Sequence, residues 1–304
     1  MDMSVIKQLA LGGIPPAIAG AILYFALAPK NPATAGALLH SRFKTIVALV
    51  LTFAIVIGII ALAIALPAFK FATVDNRLPW AIGIVLVGTL VASLSTAGRR
   101  TLARIVIGTI TLAAATAFGL LSLVKGWTTI EAVLHIGGAA AAGGIIAWAV
   151  GPASTPTQPT NSGPALARIL VPLIGASQLL VLGMSSLKHG QIAGMFAAIA
   201  GGAAAAWLVR RSVRLGVGPS MFLWLGAMLI TIFGMVLGSA PIARAALYGA
   251  LVVTSMIFAA VATMGPLGKL SGWKAWTVSI AFPALPIAAG MALAALTIED
   301  ASEY

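Results

Sequence analysis

Between Val47 and Leu66 only Thr52 and Gly58 interrupt a continuous run of apolar side chains, and no other feature limits the fold as strongly. A helix rises about 1.5 Å per residue and the hydrocarbon core of a bilayer is about 30 Å thick, so the run matches one crossing. Hydrocarbon offers no water to backbone N–H and C=O groups, so a spanning segment must satisfy them internally and is helical. A membrane β-barrel is excluded, because its strands alternate apolar and polar residues over about 10 positions. Similar blocks recur along the chain. The expected fold is all-α, a polytopic transmembrane helical bundle of about ten spans: 9–28, 45–66, 79–97, 102–124, 130–151, 165–186, 191–209, 219–238, 242–264 and 274–296. Ala26-Leu27-Ala28 has the form of a signal-peptide cleavage site, but Pro15-Pro16 breaks the apolar stretch before it, so this segment reads as a retained first span.

Charge fits the same frame. Only 8% of the residues are charged, against about 25% in a soluble domain, and 61% are hydrophobic. The formal charge of +12 comes from cations placed singly or in small groups between apolar blocks. That pattern suits topology signals and anionic headgroups at a basic face, and it argues against nucleic acid. The connections after spans 1, 3, 5, 7 and 9, with adjoining helix ends, carry twelve cations: Lys30, Arg42, Lys44, Arg99, Arg100, Arg104, Arg168, Arg210, Arg211, Arg214, Lys269 and Lys274. The opposite side carries six: Lys7, Lys70, Arg77, Lys125, Lys188 and Arg244. The excess marks the cytoplasmic side and places both termini on the non-cytoplasmic side. Short connections suit a prokaryotic inner (plasma) membrane. Cysteine is absent, which excludes disulfides, thiolate metal sites and cysteine nucleophiles.

The longest polar connection, Gly151 to Pro164, contains four prolines and no charge. Residues 152–164 thus read as an exposed loop within one membrane domain, 1–304, dividing the first five spans (1–151) from the last five (165–298). Residues 102–142 align without a gap on 166–206, with 15 identities in 41 positions. Leu102-Ala103-Arg104-Ile105 matches Leu166-Ala167-Arg168-Ile169, and Gly137-Gly138 followed by four alanines matches Gly201-Gly202 followed by four alanines. This predicts an internal two-helix hairpin repeat. Each copy starts with an Arg whose guanidinium reaches headgroups, and each carries a small-residue tract where another helix can come close.

Few residues in the spans could carry chemistry. Glu131 and His135 are one turn apart on one helix face and could form a proton-linked pair or part of a metal site. No second Glu/His pair completes a metal site, and His40 and His189 fall at span ends. The plainer expectation is that Glu131 lies near the headgroups and His135 bonds a backbone carbonyl. Gln178 is the other strongly polar residue within a span, and such residues more often join helices than bind solute. Pro15 and Pro16 in span 1, and Pro283 and Pro286 in span 10, should break or kink their helices, and broken spans can flag a transporter's binding site. Trp80, Trp127, Trp273 and Trp276 fall at span ends as interfacial anchors.

There is no nucleotide-binding loop, haem-ligand pair, nucleophile–base pair or pair of carboxylates. No catalytic, metal or cofactor site is therefore expected, and the chain reads as non-enzymatic. The span count and the five-plus-five division suggest a permease for a neutral or apolar solute. Scarce intramembrane charge and small loops suit the alternative, a non-catalytic structural subunit that contacts other membrane subunits or itself. Membrane lipids are expected partners under both readings.

Overall fold

In the computed structural model, residues 3–28, 42–64, 73–94, 100–155 and 162–302 are described. They form ten long helices: α1 (Met3–Leu27), α2 (Arg42–Ile64), α3 (Val74–Leu94), α4 (Arg100–Gly119), α5 (Thr129–Ser154), α6 (Ser162–Leu182), α7 (Leu187–Val209), α8 (Val217–Leu237), α9 (Ile242–Val261) and α10 (Gly272–Ser302). No strand occurs among the described residues. Nine of these helices are long and apolar enough to cross a membrane, and α1 carries a shorter apolar stretch, Gly13–Leu27. The chain is an all-helical, multi-pass membrane protein. Helix α5 is regular except at Val133–Gly137, where one wider π-helical stretch interrupts it.

Helix α8 stands at the centre, packed against α2, α3, α4, α5, α6, α7 and α9. It is apolar on every face, and each residue from Gly218 to Gly234 is buried. A helix with no polar side is the natural occupant of a position surrounded by other helices. Rings fill the space around it: Phe222 meets Phe53 of α2 edge-on at 6.4 Å and Phe196 of α7 at 6.0 Å. Trp224 is fully buried, and its indole N–H donates to Ile169 O at 3.0 Å, so its one polar atom is satisfied inside the bundle. The two chain ends pack outside this ring, α1 on α7 and α2, and α10 on α6 and α9. The two sequence halves are therefore interlocked: α8 belongs to the second and packs on four helices of the first.

Close backbone approach joins the tightest pairs. A Cβ on Gly20 of α1 would lie 2.6 Å from Ile199 O of α7, and one on Gly202 would collide with Ala17 O. A Cβ on Gly108 of α4 would lie 2.6 Å from Gly143 O of α5. The two small-residue tracts that resemble each other in sequence have different surroundings. Gly202 is pressed against α1, whereas nothing lies within 4 Å of a Cβ placed on Gly137 or Gly138.

Two expectations are sharpened here: the prolines expected to break or kink their helices do not break them, and the central connection is shorter than the polar stretch. Pro15 and Pro16 lie inside an uninterrupted α1, and Pro283 and Pro286 inside an uninterrupted α10, so none of the four breaks its helix. Membrane helices tolerate proline, and the buried Ser255 hydroxyl of α9 ties that helix to α10 beside the kink-prone stretch by donating to Pro283 O at 2.6 Å. The central connection is also shorter than Gly151 to Pro164. Helix α5 runs through Pro152 to Ser154, and α6 begins at Ser162 with Pro164 in its first turn, where its missing N–H is no loss. Residues 156–161 lie outside the described residues. Both flanks, Ala153–Ser154 and Ser162–Pro164, are buried.

The glycine contacts make a contrast that can be measured. Gly202→Ala forces α7 away from the α1 backbone and should destabilise the protein by about 1–3 kcal/mol. Gly138→Ala meets open space and should be neutral or stabilising by up to about 1 kcal/mol, since alanine is the better helix former. Thermal unfolding in detergent compares the two; equal shifts would contradict the close approach at Gly202.

Candidate functional site: the arginine-rich end of the bundle

The sequence candidates do not come together. The Glu131 carboxylate closes the start of α5: Thr128 N–H donates to Oε2 at 2.8 Å, Thr128 Oγ1 donates to the same oxygen at 3.0 Å, and Glu131 N–H donates back to Thr128 Oγ1 at 3.2 Å. This reciprocal arrangement is a capping box. His135 lies in the π-helical stretch and stacks on Trp127, with ring centroids 4.6 Å apart. Among the described residues no group of three or more His, Asp or Glu could hold a metal. Gln178 is exposed on α6, so it does not join helices within this bundle. His189, expected at a span end, is buried; its Nδ1 is 2.6 Å from Ser186 Oγ.

The opposite end of the bundle gathers cations. Here the ends of α1, α3, α5 and α7 meet the starts of α2, α4, α6, α8 and α10, as contacts of Arg210 with Phe25, Arg168 with Ala153 and Ser279, and Gly218 with Ser93 and Thr45 demonstrate. Asp75 and Glu131 begin α3 and α5, and Glu299 and Asp300 finish α10, so every acidic residue among those described lies at the other end. Asp2 and Glu303 are outside the described residues.

Arg168 is the most unusual of these cations. It is only 3% exposed, although the sequence suggested a guanidinium reaching out to headgroups. Its Nε donates to Ala153 O at 3.1 Å, Nη1 to Ser279 Oγ at 3.0 Å and Nη2 to Thr155 O at 3.4 Å. Two of these acceptors are carbonyls at the C-terminus of α5, where the helix dipole favours positive charge. Arg104, its counterpart in the aligned stretch, approaches the same helix end, with its guanidinium over Gly151. Arg104 Nε is buried without a hydrogen-bond partner. What sequence reading missed was the depth of Arg168; the one available signal was its shared register with Arg104.

Around these two, Arg211 lies 3.9 Å from the centre of the Trp207 ring, and Trp207 stacks near Trp276 at 5.3 Å. Trp207 Nε1 donates to Ser162 Oγ at 3.0 Å, and that hydroxyl donates to Arg211 O at 3.0 Å. Arg210 Nη1 donates to Phe25 O at 3.2 Å, tying α1 to the same end. Arg214, in the connection between α7 and α8, has its pKa lowered from the ordinary arginine value because burial disfavours its charge. The described residues at this end offer positive charge and N–H and O–H donors.

The fold defines a multi-pass membrane protein, with cations gathered at one end of its described residues. No family model, curated protein or solved structure matches the chain.

Arg168→Ala would take the donor away from the buried Ala153 carbonyl and the buried Ser279 hydroxyl, and from the exposed Thr155 carbonyl. It should destabilise the protein by about 3 kcal/mol, whereas Arg104→Ala, which removes no bonded acceptor's partner, should cost under about 1 kcal/mol. Chemical denaturation in mixed micelles distinguishes them. In contrast, Glu131→Gln combined with His135→Ala should leave expression and the unfolding midpoint nearly unchanged; a large loss of either would give the pair a role beyond helix capping and ring stacking.

Proposed function

We propose that the protein is a non-catalytic structural subunit of a larger membrane assembly, in preference to a permease for a neutral or apolar solute. The observation that carries this reading is the unbroken burial of α8 from Gly218 to Gly234 at the centre of the bundle. A central conduit would need that space. The hydroxyl of Thr231, in the second half of α8, turns back to Ala227 O at 2.9 Å and offers nothing to a passing solute. The cavity at the arginine-rich end measures about 10 Å³, room for roughly one water, whereas small-molecule pockets are about 300–1,000 Å³. The absence of an acidic residue in the middle of any span adds support, since ion-coupled transport relies on such groups. Outward faces are plentiful: Ile14, Ile18 and Ile22 form one exposed stripe along α1.

Permeability separates the two readings. The purified chain, reconstituted into liposomes, should give no faster glycerol or urea entry than protein-free liposomes in a light-scattering assay. Saturable entry that scales with protein content would restore the permease reading.

A further inference from the structure

One small cavity lies where the end of α5, the starts of α6 and α8 and the connection before α8 meet. It is lined by Ser154, Ser162, Arg214 and Ser220 among apolar neighbours. Its polar groups are unevenly satisfied. Ser162 is fully engaged with Trp207 and Arg211, and Ser154 makes only a long bond, 3.4 Å, to Gly151 O. Ser220 is 0% exposed, and its hydroxyl has no partner among the described residues. Arg214 Nε is likewise buried and unpartnered. An unsatisfied buried donor costs about 1–3 kcal/mol, more when charged, so two in one cavity imply an occupant that accepts hydrogen bonds.

The surroundings select the sign of that occupant. Arg214 contributes a positive charge, Arg168 lies on the same turns of α6 as the lining residues Ala165, Leu166 and Ile169, and no carboxylate among the described residues lies at this end. The starts of α6 and α8 add the positive ends of two helix dipoles. We propose that this cavity binds one oxygen of a phosphate group, held by Arg214 Nε, Ser220 Oγ and Ser154 Oγ, with the phosphorus and its remaining oxygens at the mouth. The volume admits a single oxygen and not a whole tetrahedral ion. The shared chemistry is phosphate; it is supplied either by a phospholipid headgroup or by free inorganic phosphate. The site stands independently of the structural-subunit reading above.

The test uses the full chain in dodecyl maltoside. Its unfolding midpoint is followed with added phosphatidylglycerol, diacylglycerol as the phosphate-free lipid, or inorganic phosphate, and native mass spectrometry counts the bound lipid. A phosphate-specific rise in midpoint supports the site. If phosphatidylglycerol produces it and free phosphate does not, the source is a headgroup; if inorganic phosphate suffices, the source is the free ion. Ser220→Ala and Arg214→Gln should each weaken binding about tenfold, the effect of losing one charge-assisted hydrogen bond, and Arg211→Gln should have a much smaller effect. Arg214→Lys keeps the charge but not the Nε donor; it should retain the fold and still bind less tightly, which covers the case in which Arg214→Gln fails to fold. Two results would overturn the proposal: no probe shifts the wild-type midpoint, as for a cavity holding only water, or Arg211→Gln and Arg214→Gln weaken binding equally, as for diffuse surface charge.

Discussion

Two helices in a bilayer gain little by hiding apolar side chains from lipid, because the lipid tails are equally apolar. What draws them together is close contact between backbones and the dispersion gained there, and in this protein that contact is made at glycine. The α1–α7 pair meets at Gly20 and Gly202, and the α4–α5 pair at Gly108 and Gly143. The same device admits rings to the core: Gly226 gives way to Phe196, and Gly119 to Phe233. Once these pairs are fixed, the remaining space is a shaft surrounded by seven helices, and α8, which has no polar face, fills it. The occupied centre, which weighs against a conduit, is thus a consequence of where the glycines stand.

Charge is organised by a second constraint, the expense of leaving a cation uncompensated in an apolar setting. Arg168 has no carboxylate partner among the described residues, and each of its three nitrogens donates one hydrogen bond to a carbonyl or hydroxyl oxygen. These neutral acceptors satisfy hydrogen bonds without cancelling charge. A helix C-terminus supplies about half of one negative charge, and both Arg104 and Arg168 converge on the same one, that of α5. The end of the bundle therefore keeps a positive field even though each Arg168 nitrogen is hydrogen-bonded.

Much of this was legible in the sequence because lipid leaves the backbone so few options. Apolar runs such as Val47–Leu66 could only be helices, and the ten blocks correspond to the ten long helices. Helix limits were harder, since proline reads as a breaker from sequence alone: Pro152 and Pro164 lie in helix ends, and Pro283 sits in the middle of α10 beside Ser255. The site was harder still. Glu131 and His135 drew attention because ionisable groups are rare in the spans, yet one is a cap and the other a stacked ring. Depth decides such roles, and depth depends on which helices flank a residue. Arg104 and Arg168 occupy equivalent positions in the aligned stretches, but one is half-buried and the other buried, because α10 covers Arg168 with Ser279.

The same reasoning explains why similar stretches of sequence end in different environments. Gly201-Gly202 is covered by α1, the chain's first helix, while Gly137-Gly138 stands open beside the exposed Val133 and Leu134. A small-residue tract permits close approach but does not select its partner; the order of helices around α8 does. Helix α1 lies outside the ring between α7 and α2, and α10 lies outside it between α6 and α9. The peripheral helices thus cover the second hairpin on both sides and leave the first exposed on α5. This asymmetry buries Arg168 and not Arg104, and it places the cavity beside Arg214 and Ser220 next to the covered hairpin, where water is scarce and an unpaired donor is most costly.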